Sequence, residues 1–269
     1  MDAACAALDG MLFSRAGSYL KPVSYCSKNH QVCPICGGFK NSWYELCWAC
    51  SHMLDAARQG GFEDLLADQV VCGFYAVKEW DQTYKVIRDY KEDAPSAADH
   101  RIIVKSILSL HVLGHLRCIG RKAGAPVTAW ATIPSTKSSK RYGKEHPLHS
   151  MVSDILSFLP EVRLQTDKLK TRKLDEHMFT LASPMEESMR GHVLLIDDSW
   201  VTGGTAQSAS LCLKKAGAQY LSIYSVAHIA HEEFIRSLDP SPLEDFRFKC
   251  HYRIGKCPWR QRRDQWSHG

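Results

Sequence analysis

The sequence lacks an uninterrupted apolar run long enough to cross a bilayer, and it has no internal repeat or low-complexity block. Its first residues, MDAACAALDG, carry an aspartate where a secretory signal would carry positive charge. The net charge of +5 over 269 residues is mild and favours no partner by itself. We therefore expect a mature, cytoplasmic protein with no membrane partner.

Eleven cysteines is a high count for a chain with no sign of secretion. Because a reducing compartment disfavours structural disulfides, clustered cysteines there indicate a metal. The segment CPICGGFKNSWYELCWAC holds two close pairs that suit tetrahedral, structural zinc: Cys33, Cys36, Cys47 and Cys50. A redox pair and an iron–sulfur cluster are the alternatives. Cys26, His30 and His52 lie near enough in sequence to replace one ligand.

Apolar segments with strand and helix patterns alternate along the chain. After a lead-in of uncertain order over residues 1–25, we predict strands at 70–77, 126–134, 161–166, 191–197 and 220–227, and helices at 96–120, 147–160 and 205–218. This alternation predicts an α/β fold with a mostly parallel sheet, covered on both faces. Ligands of such sheets bind at the carboxyl ends of the strands.

The segment LLIDDSWVTGGTAQSA places two acids and a small loop at such an end. The two glycines of the loop 201–205 permit close approach and positive φ, and its two threonines add hydroxyl donors. The following helix start supplies unpaired amides, so the loop can bind a phosphate. Asp197 and Asp198 can accept hydrogen bonds from a diol one sugar away. The alternative is an ordinary strand–helix turn with an acidic strand end.

This stretch resembles the phosphoribosyl diphosphate motif of type I phosphoribosyltransferases. The resemblance implies their mostly parallel sheet, ribose hydroxyls held by Asp197 and Asp198, and magnesium bridging substrate oxygens. It implies that pyrophosphate is displaced by an unidentified nitrogen acceptor. The 5′-phosphate would be held by Val201, Thr202, Gly203, Gly204 and Thr205. Trp200 departs from the motif, and it either packs over the loop or restricts the sugar.

A second loop, IPSTKSSKR, follows the strand predicted at 126–134. Cations there would stabilise the charge of a leaving pyrophosphate. The candidates are Ser135, Thr136, Lys137, Lys140 and Arg141. A basic surface loop without a ligand is the alternative.

A four-cysteine module before such a domain resembles the ComF family of competence-related proteins. The segments YKVIRDYKED and TIPSTKSSKRYGKEHPLHSMVSDIL are similar to that family, although Glu145 and His146 replace its usual asparagine and glutamine. The resemblance covers roughly residues 30–230. We therefore expect a four-cysteine zinc module at 26–55 and a phosphoribosyltransferase-like domain at 70–235, followed by a basic, aromatic tail at 236–269. A binding protein without catalysis, a sensor or an accessory in DNA processing, is the alternative to an enzyme.

The tail from residue 246 interleaves seven basic residues with five aromatics: Phe246, Phe248, Tyr252, Trp259 and Trp266. Arginines with stacking rings suit single-stranded nucleic acid. The alternative is a solvated terminus with some of its aromatics packed on the domain. Cys250, His251 and Cys257 are weak candidates for a second metal site.

Overall fold

The structure is a computed structural model and describes residues 3–27, 30–78, 81–135, 146–169 and 172–259. Five strands form the main sheet, in the spatial order β1-β2-β7-β6-β3. Strand β1 pairs antiparallel with β2, and the other neighbours are parallel. The strands are β1 (Lys21–Pro22), β2 (Gln69–Lys78), β3 (Ala129–Thr132), β6 (His192–Trp200) and β7 (Tyr220–His231), with β4 (Leu164–Gln165) and β5 (Thr180–Leu181) forming a separate hairpin. The expected α/β class with a mostly parallel sheet is confirmed.

Helices cover both faces of this sheet. They are α1 (Ala3–Ala16), α2 (Val23–Cys26), α3 (Trp48–Gly60), α4 (Gln82–Asp89), α5 (Ala97–His111), α6 (Leu116–Ala123), α7 (Pro147–Ile155), α8 (Gly204–Lys215), α9 (Glu232–Leu238) and α10 (Ser241–Phe248). Short 3₁₀ turns lie at Glu63–Leu65, Leu113–His115 and Glu187–Met189. The long helix predicted at 96–120 is thus two helices, and the glycine at 114 lowers the helix propensity between them.

Two apolar cores lie on opposite faces of the sheet, because side chains alternate along each strand. Along β6, Val193 and Leu195 belong to one core, and Leu194 and Ile196 belong to the other. The first core also contains all four cysteines of the amino-terminal module. That module therefore packs directly on the sheet and shares its core.

Contacts across this boundary are specific. The Phe39 ring stacks on Tyr75 of β2, with centroids 5.0 Å apart; Phe246 of α10 also lies 5.0 Å from Tyr75 and 5.7 Å from Phe39, so the three rings form one cluster. The Tyr75 hydroxyl donates to the Gly37 carbonyl at 2.6 Å. Since the aromatic cluster joins the module, the sheet and the tail, these three segments stabilise one another.

Residues 3–25 are described and begin with a helix that packs on the domain, so the expectation of a lead-in of uncertain order is wrong for them. Leu12, Ala16 and Leu20 are fully buried in the second core, where α1 packs against α5. The face of α1 that meets the core is hard to recognise from the sequence, because apolar residues occur around much of the helix and no single apolar stripe stands out.

One helical stretch of the described chain, Ala97–Ala123, is long and apolar enough to cross a membrane by length and composition. The expectation of no such run missed it because Lys105 interrupts the stretch. Half of its apolar window is buried inside the molecule, as in the core helix of a folded domain. Length and composition alone are therefore weak evidence for a span.

The tail packs on the domain as far as it is described. Phe246, Tyr252 and Trp259 are buried, and only Phe248 of the four described aromatics is exposed, at 76%. Cys250 forms a disulfide with Cys26, with Cα atoms 5.6 Å apart. Three of the tail's rings fill the two cores, as in the alternative of a terminus with some of its aromatics packed on the domain, and the domain boundary at residue 235 stays a prediction. Trp266 lies outside the described residues, and nucleic acid binding stays a prediction.

Candidate functional site

The loop 201–203 joins the carboxyl end of β6 to α8. Gly203 is the N-cap of α8 in the left-handed conformation, with φ of 83°. The amide of Gln207 donates to the Gly203 carbonyl at 2.8 Å, the first bond of the helix. The amides of the first turn of α8 point out of its positive end.

A cavity of about 340 Å³ opens beside this helix start. One carboxylate and one guanidinium line it together with the loop. Its lining residues are Arg172, Asp197, Ser199, Trp200, Val201, Thr202, Gly203, Gly204, Thr205 and Ala206. All five residues predicted to hold the phosphate, and one of the two predicted acids, thus meet at one cavity.

Both glycines are also required by packing within the protein. A Cβ on Gly203 would lie 2.1 Å from the Trp200 ring, and one on Gly204 would lie 2.3 Å from the Arg172 carbonyl oxygen. The Thr202 hydroxyl donates to the same carbonyl at 2.8 Å. Backbone at residue 172 therefore runs against the loop and forms one wall of the cavity. Sequence reasoning missed Arg172, whose only signal was the basic segment before β6.

Trp200 packs against the loop, the first of the two expectations for this residue. The side chain is 1% exposed, and its ring lies against Gly203. Its indole Nε1 is buried without a hydrogen-bond partner among the described residues. A buried unsatisfied donor is costly, and this one belongs to a residue of the cavity wall.

The two acids at the end of β6 face different surroundings. The strand continues through Ser199 and Trp200, which pair with Ala227 and His228 of β7. Because adjacent strand residues point to opposite faces, Asp197 lines the cavity and Asp198 does not. The implied joint contact of both acids with one ribose stays a prediction for Asp198.

Asp198 is 4% exposed and is surrounded by donors. The Tyr90 hydroxyl donates to its Oδ2 at 2.9 Å, Lys91 Nζ forms an ion pair with the same oxygen, and His146 Nε2 lies 3.6 Å away. Burial opposes ionisation, but Lys91 and His146 hold the pKa of Asp198 below its usual range. Tyr90 and Lys91 come from the segment YKVIRDYKED, whose similarity to a known family was the signal that could have found them.

The second predicted loop lies partly outside the described residues. Ser135 lines a cavity of about 800 Å³ at the end of β3, together with His146 and His149. His149 Nε2 lies 2.8 Å from Glu161 Oε1, and Arg163 Nε lies 3.3 Å from the same oxygen. Thr136, Lys137, Lys140 and Arg141 lie outside the described residues, so their role in binding pyrophosphate stays a prediction.

The four cysteines of the amino-terminal module meet in one buried cluster. Their sulfurs all lie within 4.8 Å of one another, and Cys36 Sγ lies 3.7 Å from Cys47 Sγ. A tetrahedral zinc with Zn–S bonds of about 2.3 Å requires sulfurs about 3.8 Å apart. The Gly38 amide donates to Cys36 Sγ at 3.3 Å, and Gly37 supplies the positive φ of the turn. The cluster can therefore hold a metal.

The residues considered as substitute ligands lie elsewhere. Cys26 is in the disulfide with Cys250. His30 Nε2 pairs with Asp245 at 3.2 Å, and His52 Nδ1 lies 2.9 Å from the Trp48 carbonyl oxygen. Among the residues that the structure describes, the cluster consists of the four cysteines.

No protein-family model matches the chain, and a search of curated proteins gives no match. Among solved structures, a purine phosphoribosyltransferase from Pyrococcus horikoshii Ot3 is 14% identical with a TM-score of 0.30, over 48% of this chain and 87% of that chain. An adenine phosphoribosyl transferase from Trypanosoma brucei, solved with AMP, pyrophosphate and ribose-5-phosphate, is 17% identical with a TM-score of 0.32, over 62% and 75%. Because both TM-scores lie below 0.5, the functional proposal rests on this chain's own residues.

Proposed function

We propose that this protein is a phosphoribosyltransferase that binds phosphoribosyl diphosphate at the cavity beside α8. The observation that carries the proposal is the convergence of three features on that cavity. They are the amino-terminal end of α8 with its positive end charge, the Gly-Gly-Thr loop and the carboxylate of Asp197. A ligand that carries both a phosphate and a diol has groups that suit these three features.

The 5′-phosphate is attracted by the amides at the start of α8 and by its positive helix end. Arg172 adds the one guanidinium of the cavity wall, and the hydroxyls of Thr202 and Thr205 add neutral donors. Asp197 would repel a phosphate, so it accepts hydrogen bonds from the ribose hydroxyls instead. This division of roles fixes the direction of the sugar along the cavity.

In the proposed reaction a nitrogen lone pair of the acceptor forms the bond to the anomeric carbon, and the carbon–oxygen bond to pyrophosphate breaks with its electrons on the leaving group. Magnesium, when bound with the substrate, neutralises charge on the diphosphate oxygens. Carboxylate oxygen is a donor that magnesium accepts, and Asp197 is the residue of this cavity that offers it. Lys137, Lys140 and Arg141 are the candidate cations for the leaving pyrophosphate.

We also propose that the four-cysteine cluster holds a structural zinc ion. The cluster is closed by four thiolate donors and buried in the core shared with the sheet, so its metal would stabilise rather than react. Membership of the ComF family, the domain boundaries and a cytoplasmic location remain predictions from the sequence.

The first experiment is ligand-dependent thermal stability. Phosphoribosyl diphosphate with magnesium should stabilise the protein by about 2.7 kcal/mol at a concentration 100-fold above its Kd. Asp197→Asn should weaken that effect by about 1.5–3 kcal/mol, the value of hydrogen bonds to a charged group. Asp154→Asn changes an exposed acid that pairs with Lys105, and this control should respond like the wild type.

Equal stabilisation of the wild type and Asp197→Asn, or none of the wild type, would contradict the proposed site. Catalysis is tested separately by measuring pyrophosphate release across a panel of purines, pyrimidines and simple amines. Release that requires one acceptor supports the transferase. Binding without release for any acceptor would favour the alternative, a protein that binds the ligand without catalysis.

A further inference from the structure

We propose a second zinc site, formed by His115, Cys118 and Cys257, with Cys5 as its fourth ligand. One ligand atom from each of the first three residues lies within 4.8 Å of the other two. Two come from the 3₁₀ turn and α6 and the third from the tail, so nearby sequence does not explain why Cys257 meets the other two. The site is independent of the four-cysteine cluster and of the proposed phosphoribosyltransferase activity.

Two of the ligands are held by the start of α6. His115 is the residue before the helix, and Cys118 lies three positions later in its first turn. Residues three apart share one side of a helix. The pair His-x-x-Cys therefore presents one nitrogen and one sulfur from a single helical turn.

The third ligand is fixed by anchors on both sides of it. Two residues before Cys257, the Gly255 amide donates to Asp9 Oδ2 at 2.7 Å, and Gly255 has the positive φ of a turn. Two residues after it, Trp259 Nε1 donates to the His111 carbonyl at 2.6 Å. The tail between these anchors is thus held over the helix that carries the other ligands.

A fourth sulfur lies close by, although Cys5 is not among the residues whose ligand atoms all lie within 4.8 Å of one another. Cys5 Sγ of α1 lies 3.9 Å from the point where a Cβ on Gly114 would stand, and Gly114 precedes His115. Cys5, Cys118 and Cys257 are not in disulfides, and all three are half-buried. Three thiolates and one imidazole are a donor set of structural zinc, and soft sulfur donors exclude magnesium and calcium.

The site replaces the weak expectation of a metal at Cys250, His251 and Cys257. Cys250 is taken by its disulfide, while the imidazole Nδ1 of His251 lies 3.2 Å from both Lys21 Nζ and the Ser18 carbonyl oxygen. Zinc here would join α1, α6 and the tail, three elements far apart in sequence. Its binding energy would therefore stabilise the docked tail.

The test is elemental analysis of the full-length protein after purification from zinc-containing medium. We expect about two zinc ions per chain in the wild type, one in Cys118→Ser, one in Cys257→Ser and one in Cys36→Ser. The double variant Cys36→Ser, Cys118→Ser should hold none. Cys212→Ser is the matched control, because this half-buried cysteine belongs to neither cluster, and it should keep two.

Substitution could loosen the tail without touching a metal, so a second readout is needed. Cobalt added to Cys36→Ser, which keeps only the second site, should give the visible absorption of tetrahedral thiolate ligation. That absorption should disappear in the double variant. Cys5→Ser should weaken zinc retention against a chelator, and unchanged retention would overturn the assignment of Cys5.

One zinc in the wild type, unchanged in Cys118→Ser and lost in Cys36→Ser, would overturn the second site. A thiol titration without reductant covers the remaining explanation. If Cys118 and Cys257 form a disulfide in place of a metal site, the wild type and the double variant Cys118→Ser, Cys257→Ser will show the same number of thiols. If they bind zinc, the wild type will show two more thiols than the double variant after zinc is removed, and this result supports the proposal.

Discussion

Asp197 and Asp198 occupy neighbouring positions of β6, yet each meets a different part of the molecule. Asp197 lies on the wall of a polar cavity with Arg172 and the glycine loop. Asp198 lies on the other side of the strand, where Tyr90, Lys91 and His146 surround one of its oxygens. Asp197 faces the cavity, where its Oδ1 accepts from the Asp198 amide at 2.8 Å, and Asp198 is already neutralised by the protein.

This difference changes how an acidic pair at a strand end should be interpreted. Two adjacent carboxylates suggest that a ligand must offset their repulsion. In this chain, alternation along the strand separates the two groups, and Lys91 compensates one of them. The case for a ligand therefore depends on Asp197 and the loop, and the two acids should behave differently when each is replaced.

The largest expected effect is on the stability of the protein without ligand. Asp198→Asn would leave Lys91 without its anion, and breaking a buried ion pair costs about 3–5 kcal/mol. Since the Lys91 side chain is 27% exposed, we expect a loss at or below about 3 kcal/mol, at the lower end of that range. Asp197→Asn should cost less, because the asparagine keeps an oxygen that can accept from the Asp198 amide, as Asp197 Oδ1 does at 2.8 Å.

Urea unfolding of both variants, at the same pH and salt, measures this contrast. Equal losses in the two variants would mean that the acids share one structural role. A loss in Asp197→Asn alone would reverse the assignment of the two residues.

A smaller effect should follow from pH. The folded pKa of Asp198 is depressed, by Lys91 and His146 against the opposing effect of burial. Its stabilisation is therefore complete above the unfolded pKa of about 3.9 and is lost as the pH falls below that value. The wild type should lose stability more steeply than Asp198→Asn between about pH 5 and pH 3. Parallel curves from thermal unfolding would show that the carboxylate is not neutralised as described.

The sequence was sufficient to predict the sheet, the loop and the four-cysteine cluster, because each depends on local pattern or close spacing. It was not sufficient to place the end of β6. The pattern predicted an end at residue 197, but pairing of Ser199 and Trp200 with β7 extends the strand to residue 200. That extension decides which way each acid points, and it depends on a strand 20 residues further along the chain.

Contacts between segments that are distant in sequence also could not be predicted from local sequence patterns. Cys250 was considered with its neighbours His251 and Cys257, but it pairs with Cys26, a sequence separation of 224. Burial of Phe246 and Tyr252 draws the tail back across the first helices. The spacing of residues along the chain identifies a metal site when all its ligands are close together in sequence. It cannot identify partners that are distant in sequence and that only the folded structure brings together.

The smallest effect tests the loop side of the comparison. Thr202→Val keeps the shape of the side chain but removes the hydroxyl that donates to the Arg172 carbonyl at 2.8 Å. One neutral hydrogen bond contributes about 0.5–1.5 kcal/mol, and Thr202 is partly exposed, so we expect a loss near the lower end in urea unfolding. Thr202→Ser retains the donor and should match the wild type. If the loop also binds the phosphate, Thr202→Val should reduce stabilisation by phosphoribosyl diphosphate while Thr202→Ser preserves it. A ligand response unchanged in both variants would leave Thr202 with its contact to residue 172 alone.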